Sequence, residues 1–98
     1  GLDKHLSDAF DFLKVCKTKE LWPVIEELLK ELEDLGPAAH YAGSKPPQKS
    51  YEAKFQNDEL WAYRWSSRIT GRETYLKFIL KKDWFFFVDC HEHKAQRN

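Results

Sequence analysis

The 98-residue chain contains no methionine, two cysteines, four glycines and four prolines. Cys16 and Cys90 stand alone, without the density of a disulfide framework or the paired spacing of a zinc ribbon, so a reducing cytoplasm is the expected setting. No apolar run approaches the ~20 residues that span a bilayer, and the first residues lack the basic-then-apolar pattern of a signal peptide, so no membrane partner is expected. With glycine at position 1 and no methionine anywhere, the natural start is expected to lie outside these residues. Net charge is also missing: 16 Lys and Arg balance 16 Asp and Glu, which by itself gives no reason to expect a polyanion.

What is present reads as one folded unit. Hydrophobic residues at 42% and charged residues at 33% are the balance of a globular protein, and the length suits one domain with one modest core. The zero net charge conceals a split. Residues 1–37 carry five Lys or Arg against nine Asp or Glu, whereas residues 41–98 carry eleven against seven. Either one functional face is basic and the acidic half is scaffold, or the charges are divided by chance over two solvated faces.

Two helical patterns come first. Leu2, Leu6, Ala9, Leu13 and Cys16 recur at spacings of four and three, and Phe10 and Phe12 widen that stripe. Lys17-Thr18-Lys19 interrupts it. Thr18 is expected to cap a second helix, with Glu20 near the positive end of its dipole and Pro23 in or just past the first turn. Leu21, Ile25, Leu28, Leu29, Leu32 and Leu35 form its apolar stripe, which Gly36-Pro37 ends. Residues 37–50 hold three prolines and no period and read as a long surface loop.

From residue 51 the period becomes two. Tyr51, Ala53 and Phe55 alternate with polar residues, and Leu60–Trp65 puts three aromatics on one face with Arg64 on the other. Thr74–Leu80 alternates Leu76, Phe78 and Leu80 against Tyr75, Lys77 and Ile79. Trp84–Cys90 is almost continuously apolar, as a central strand would be. The expectation is an α+β fold: two N-terminal helices on one face of a four-stranded, mostly antiparallel sheet. Residues 1–36 supply the helices, 37–50 the loop, 51–94 the sheet and 95–98 a tail, all within one domain. Trp61, Tyr63, Trp65 and Trp84 are assigned to the core, as are both cysteines.

The sheet face away from the helices then displays Lys54, Arg64, Tyr75 and Lys77, joined by His91, Glu92, His93 and Lys94 near the end. Arginine offers a planar fork of donors to phosphate oxygens and lysine a point charge, while histidine can deliver a proton to a leaving oxygen. Without a metal or nucleotide motif, such a set suits RNA cleavage by attack of the 2′-hydroxyl on the adjacent phosphate. Taken without any resemblance, the same set reads first as an ordinary basic solvated face of an antiparallel sheet. His91 and His93 with Cys90 or Asp89 form a lesser, metal-binding alternative.

The stretch Glu59-Leu60-Trp61-Ala62-Tyr63-Arg64, the strand around Tyr75 and the ending Cys90-His91-Glu92-His93-Lys94 resemble the RelE/ParE superfamily of bacterial toxins. The ending is similar to the Cys-Arg-Tyr-His-Tyr tail of its YoeB branch, and Thr70-Gly71 followed by Tyr75-Leu76-Lys77 resembles the MqsR branch. Leu60-Trp61-Ala62-Tyr63-Arg64 matches the Leu-Trp-x-x-Arg of many RelE-like members. The chain departs from the pattern in its neutral charge, in Tyr75 where many relatives have arginine, in Lys94 at the final tyrosine, and in lacking a strand before the helices.

The resemblance implies the toxin of a toxin–antitoxin pair, an endoribonuclease cleaving mRNA, either free or held in the ribosome, without metal or organic cofactor. Arg64 would hold the scissile phosphate and Tyr75 orient the 2′-hydroxyl or stack on a base. His93 would be the general acid, with His91 the alternate and Glu92 a candidate base. Lys54, Lys77, Lys94, Arg68 and Arg72 would contact the RNA backbone. A cognate antitoxin and mRNA are the implied partners. The alternatives are a non-catalytic member of the fold, inhibiting gyrase or binding another protein, and a plain RNA-binding module.

Overall fold

Helix α1 spans Leu2–Leu13 and helix α2 spans Thr18–Leu35 in the computed structural model of the chain. The structure describes residues 2–36, 39–43, 49, 58–81 and 84–93, with the backbone alone for residues 2–4. Helix α1 stops at Lys14, whose φ of 58° is left-handed, and the Val15 N–H donates back to the Phe10 carbonyl at 3.0 Å. This closure satisfies a carbonyl that the helix end would otherwise orphan. Cys16 therefore lies beyond the helix and is exposed, not buried as its spacing predicts.

Lys17, not Thr18, is the N-cap of α2. The Glu20 carboxylate accepts from the backbone N–H of Cys16 at 3.0 Å and of Lys17 at 3.1 Å, so an acid three positions into the helix supplies the capping oxygen. Leu21, Ile25 and Leu28 are buried, Leu29 and Leu32 half-buried, and Leu35 exposed. Gly36 ends the helix at φ 52°, its N–H donating to the Leu32 carbonyl.

The sheet has the order β1–β2–β3–β4, with β1 His40–Tyr41, β2 Glu59–Ser66, β3 Glu73–Lys81 and β4 Trp84–Glu92, and every neighbouring pair is antiparallel. The α+β architecture is the expected one. Its first strand is not: β1 falls inside the segment read as loop, and the alternation at Tyr51–Phe55 lies outside the described residues.

Strand β4 stands at the end of the strand order rather than at its centre. Its apolar run has two other causes. Helix α1 packs along it, and a bulge changes its phase: Phe78 is opposite Phe87 but Lys77 is opposite Asp89, leaving Val88 without a partner. Phe85, Phe87 and Cys90 consequently share the helix face, while Asp89 and His91 emerge on the other.

The core joins Ala9, Leu21, Ile25 and Leu28 of the helices to Trp65, Leu76, Phe78 and Cys90 of the sheet, with Trp61 and Tyr63 packed beside them. Burying each large aliphatic side chain contributes about 1.5–3 kcal/mol. Tyr41 meets Trp61 and Tyr63 at ring separations of 5.8 and 5.4 Å, tying the short β1 to this layer. Trp84 departs from its assignment to the core: it is 68% exposed, opposite Lys81 on the far face.

A polar cluster fixes α2 against the end of β2 and the turn that follows it. Glu31 of α2 accepts from Trp65 Nε1 at 2.7 Å, from Ser67 Oγ at 2.6 Å and from the Arg68 N–H at 2.8 Å. Buried Ser67 also accepts the N–H groups of Ile69 and Thr70, shaping the turn between β2 and β3 that Gly71 completes at φ 71°.

Candidate functional site

Opposite residues in an antiparallel pair share a face. The register therefore sets His40, Arg64, Tyr75 and His91 in one row across all four strands, on the face away from the core. The next row holds Ala62, Lys77 and Asp89. Beyond β4 the ladder continues by one bond, from the His93 N–H to the Glu73 carbonyl at 2.8 Å, which keeps His93 on the side of His91.

Arg64 reaches across β3 to His93, with Nη1 and Nε2 3.0 Å apart. A guanidinium can only donate, so Nε2 is the acceptor and the ring proton resides on Nδ1. Arg64 is half-buried, and among the described residues no carboxylate lies within ion-pair distance of it. A cation so placed is matched by an incoming anion better than by water alone.

Tyr75 and His91 stack with centroids 4.7 Å apart and planes 16° from parallel. His91 Nδ1 is 2.9 Å from the Glu92 carbonyl, which can only accept, so this nitrogen donates. Its Nε2 lies 3.6 Å from Asp89 Oδ2, which also faces His5 Nδ1 of α1 at 3.3 Å. The other Asp89 oxygen is buried with no hydrogen-bond partner among the described residues. Burial, then the Asp89 charge and Tyr41, raise the Tyr75 hydroxyl above its ordinary value, so it stays a phenol and a donor.

The sequence-derived residues divide accordingly. Arg64, Tyr75, His91 and His93 come together, with half-buried Lys77 one row away. Glu92 does not join them: it lies opposite Thr74 on the other face, and its carboxylate is 3.4 Å from Arg72. Arg72 is thus held by that pair, and Arg68 sits in the turn bound through its backbone to Glu31. Lys54 and Lys94 lie outside the described residues.

The face is not uniformly polar either. Leu60, Ile79 and Phe86 occupy its far end, and Ile79 is buried along with Ala62. Asp89 and His5 were not among the candidate catalytic or RNA-binding residues. The available signal for Asp89 was a lone charge at the end of an apolar strand; nothing in sequence joins His5 to it.

The set His91, His93 and Cys90 is not assembled for a metal, because Cys90 points into the core, where burial and then the Asp89 charge push its thiol up to about 12. Among the described residues no three His, Cys, Asp or Glu side chains are placed to hold a metal ion. No described helix is long and apolar enough to cross a membrane. Comparison with protein-family models, curated proteins and solved structures gave no match to this chain.

Proposed function

We propose that the chain is a RelE-like toxin: an endoribonuclease that cleaves mRNA in the cytoplasm without a metal and is neutralised by a cognate antitoxin. The observation that carries this reading is Arg64, a half-buried guanidinium without a carboxylate partner among the described residues and in contact with the His93 imidazole. An RNA phosphate supplies the anion that Arg64 lacks. When Arg64 turns from His93 to that phosphate, Nε2 is freed to take up a proton.

The chemistry then balances simply. The 2′-oxygen bonds to phosphorus and the bond from phosphorus to the 5′-oxygen breaks. The 2′ proton passes to solvent, and the 5′-oxygen takes its proton from His93. Arg64 stabilises the charge gathering on the phosphate, and the Tyr75 phenol donates toward the sugar or phosphate. His91 is less suited to proton transfer, since one ring nitrogen is bound to the Glu92 carbonyl and the other faces Asp89. It holds Tyr75 instead. Lys77 adds positive charge along the strand.

Glu92 supports a second reading. Its diversion to Arg72 leaves no carboxylate base beside Arg64 among the described residues, which favours a non-catalytic binding module with the same fold. The experiment measures mRNA cleavage in translating extracts for wild type, Arg64→Ala and His93→Ala. Cleavage lost in both variants is expected. Intact transcripts beside arrested growth would leave the non-catalytic reading standing. Cleavage that survives both substitutions would keep the activity and remove these residues from it.

A further inference from the structure

His40 stands directly opposite Arg64, at the β1 end of the row that Tyr75 and His91 continue. Tyr41 fixes which way it points. The Tyr41 ring meets Trp61 and Tyr63 on the core side, so the residue before it in the strand projects to the other face. The Ala42 N–H donates to the Ala62 carbonyl at 2.9 Å, which carries the β1–β2 ladder one residue further and holds this register. Directly opposite side chains have Cβ atoms about 5 Å apart, so His40 and Arg64 can grip one group between them.

The side-chain hydrogen bonds and ion pairs of the described histidines belong to His5, His91 and His93. The His40 ring is exposed and has none among the described residues. His91, in the same row, has one nitrogen bound to the Glu92 carbonyl and the other facing Asp89, and the Glu92 carboxylate is drawn to Arg72 on the opposite face. Within the row, His40 is thus the imidazole left open to take a proton. Arg64 crosses two strand spacings to meet His93, and His40 is one spacing away on its other side. The guanidinium lies between two imidazoles. The His93 ring already reaches in to Arg64, and a matching lean by His40 leaves room for one phosphate with its two reacting oxygens.

Resting on the RNA-cleavage reading above, we infer that His40 is the general base of the reaction. The phosphate held by Arg64 lies between the two rings. A His40 nitrogen takes the proton of the 2′-hydroxyl as the 2′-oxygen bonds to phosphorus. Protonated His93 gives its proton to the 5′-oxygen as the bond from phosphorus to that oxygen breaks. The products are a 2′,3′-cyclic phosphate and a free 5′-hydroxyl. Exposed His40 then returns its proton to water, and His93 takes one up. An imidazole so placed fills the role that Glu92 leaves, and a positioned base contributes about 100- to 10,000-fold in rate.

The test maps the scissile bond of a message with the wild-type chain in translating extracts, then replaces the 5′-oxygen at that bond with sulfur. A thiolate leaves without a proton, so the acid becomes dispensable and the base does not. On the ordinary message, His40→Ala and His93→Ala are each expected to lower the cleavage rate about 100-fold. On the sulfur-linked message, His93→Ala is expected to recover to near the wild-type rate while His40→Ala stays about 100-fold down. Free imidazole is expected to restore part of the His40→Ala rate, which separates a lost base from a lost fold. His40→Ala that cleaves as wild type, that recovers on the sulfur-linked message, or that imidazole leaves unchanged overturns the inference and leaves the nuclease reading in place. A wild-type chain that leaves the ordinary message intact overturns both.

Discussion

Arg64 and His93 lie 29 residues apart in sequence and meet at 3.0 Å, the guanidinium spanning a whole strand to reach the imidazole. The contact fixes His93 as an acceptor at Nε2. Nitrogen-15 imidazole spectra should show the neutral ring protonated at Nδ1 in the wild type, with that preference lost in Arg64→Ala. If the chain is a nuclease, Arg64→Ala should lower cleavage about 100- to 1,000-fold, the scale seen for removing one transition-state donor. Arg64→Lys keeps the charge without the fork and should recover only part of it. A rapidly exchanging mixture of tautomers in the wild type would contradict the geometry.

Glu31 joins helix to sheet through three donors, and replacing it strands all three. Glu31→Ala should cost about 2–3 kcal/mol in denaturant unfolding, with Glu31→Gln costing less. Burial pushes the carboxyl up, but hydrogen bonds from Ser67, Trp65 and the Arg68 backbone, with the Arg68 charge, bring it below the ordinary 4.5. The folded state thus binds this proton more weakly than the unfolded state. Its contribution is complete above the ordinary value and is lost as pH falls through the lowered one. Urea titrations at neutral and acidic pH should show that component in the wild type and not in Glu31→Ala.

The two thiols should behave oppositely. Cys16 is exposed and should react with a thiol reagent in the folded protein, whereas Cys90 should react only after unfolding. The Cys90 thiol, at about 12 against an ordinary 9.0, remains protonated when folded at pH values where the unfolded chain has ionised. Its contribution to stability is therefore full below about 9 and declines as pH rises toward 12. Cys90→Ala should flatten that alkaline decline. Labelling of both thiols at equal rates would show that Cys90 is not sealed.

Val88 is an extra residue in β4, so removing it leaves every cross-strand pair unchanged in partner and face. A Val88 deletion should still unfold cooperatively, with Asp89 and His91 kept opposite Lys77 and Tyr75. Deletion of Phe86 carries no such compensation; it would turn part of the strand over and should abolish cooperative unfolding. Thermal melts of the two deletions decide the matter, and equal damage from both would speak against the bulge.

The helices were legible because their signals are local. The Leu21, Ile25 and Leu28 stripe, the Glu20 acid and the Gly36 stop are each explained within a turn or two of chain, and all three reappear in the fold. Cys16 shows the limit, since the same four-three spacing continues past a helix that Lys14 has already ended. The separation of Arg64 from Trp61, Tyr63 and Trp65 was equally readable, because alternation within an uninterrupted strand is geometric.

The sequence by itself determined two amphipathic helices, two alternating strands around Arg64 and Tyr75, and a basic second half, because each depends on period or composition alone. Only the tertiary structure decided that β4 stands at the sheet's end, that Glu92 leaves the site for Arg72, and that Asp89 gathers His5 and His91 around it. One unpaired residue, Val88, reverses the parity of everything after it, and period-two reasoning has no means of locating such a slip. Register is a property of two strands held together by a shared core, so it exists only once the chain has folded.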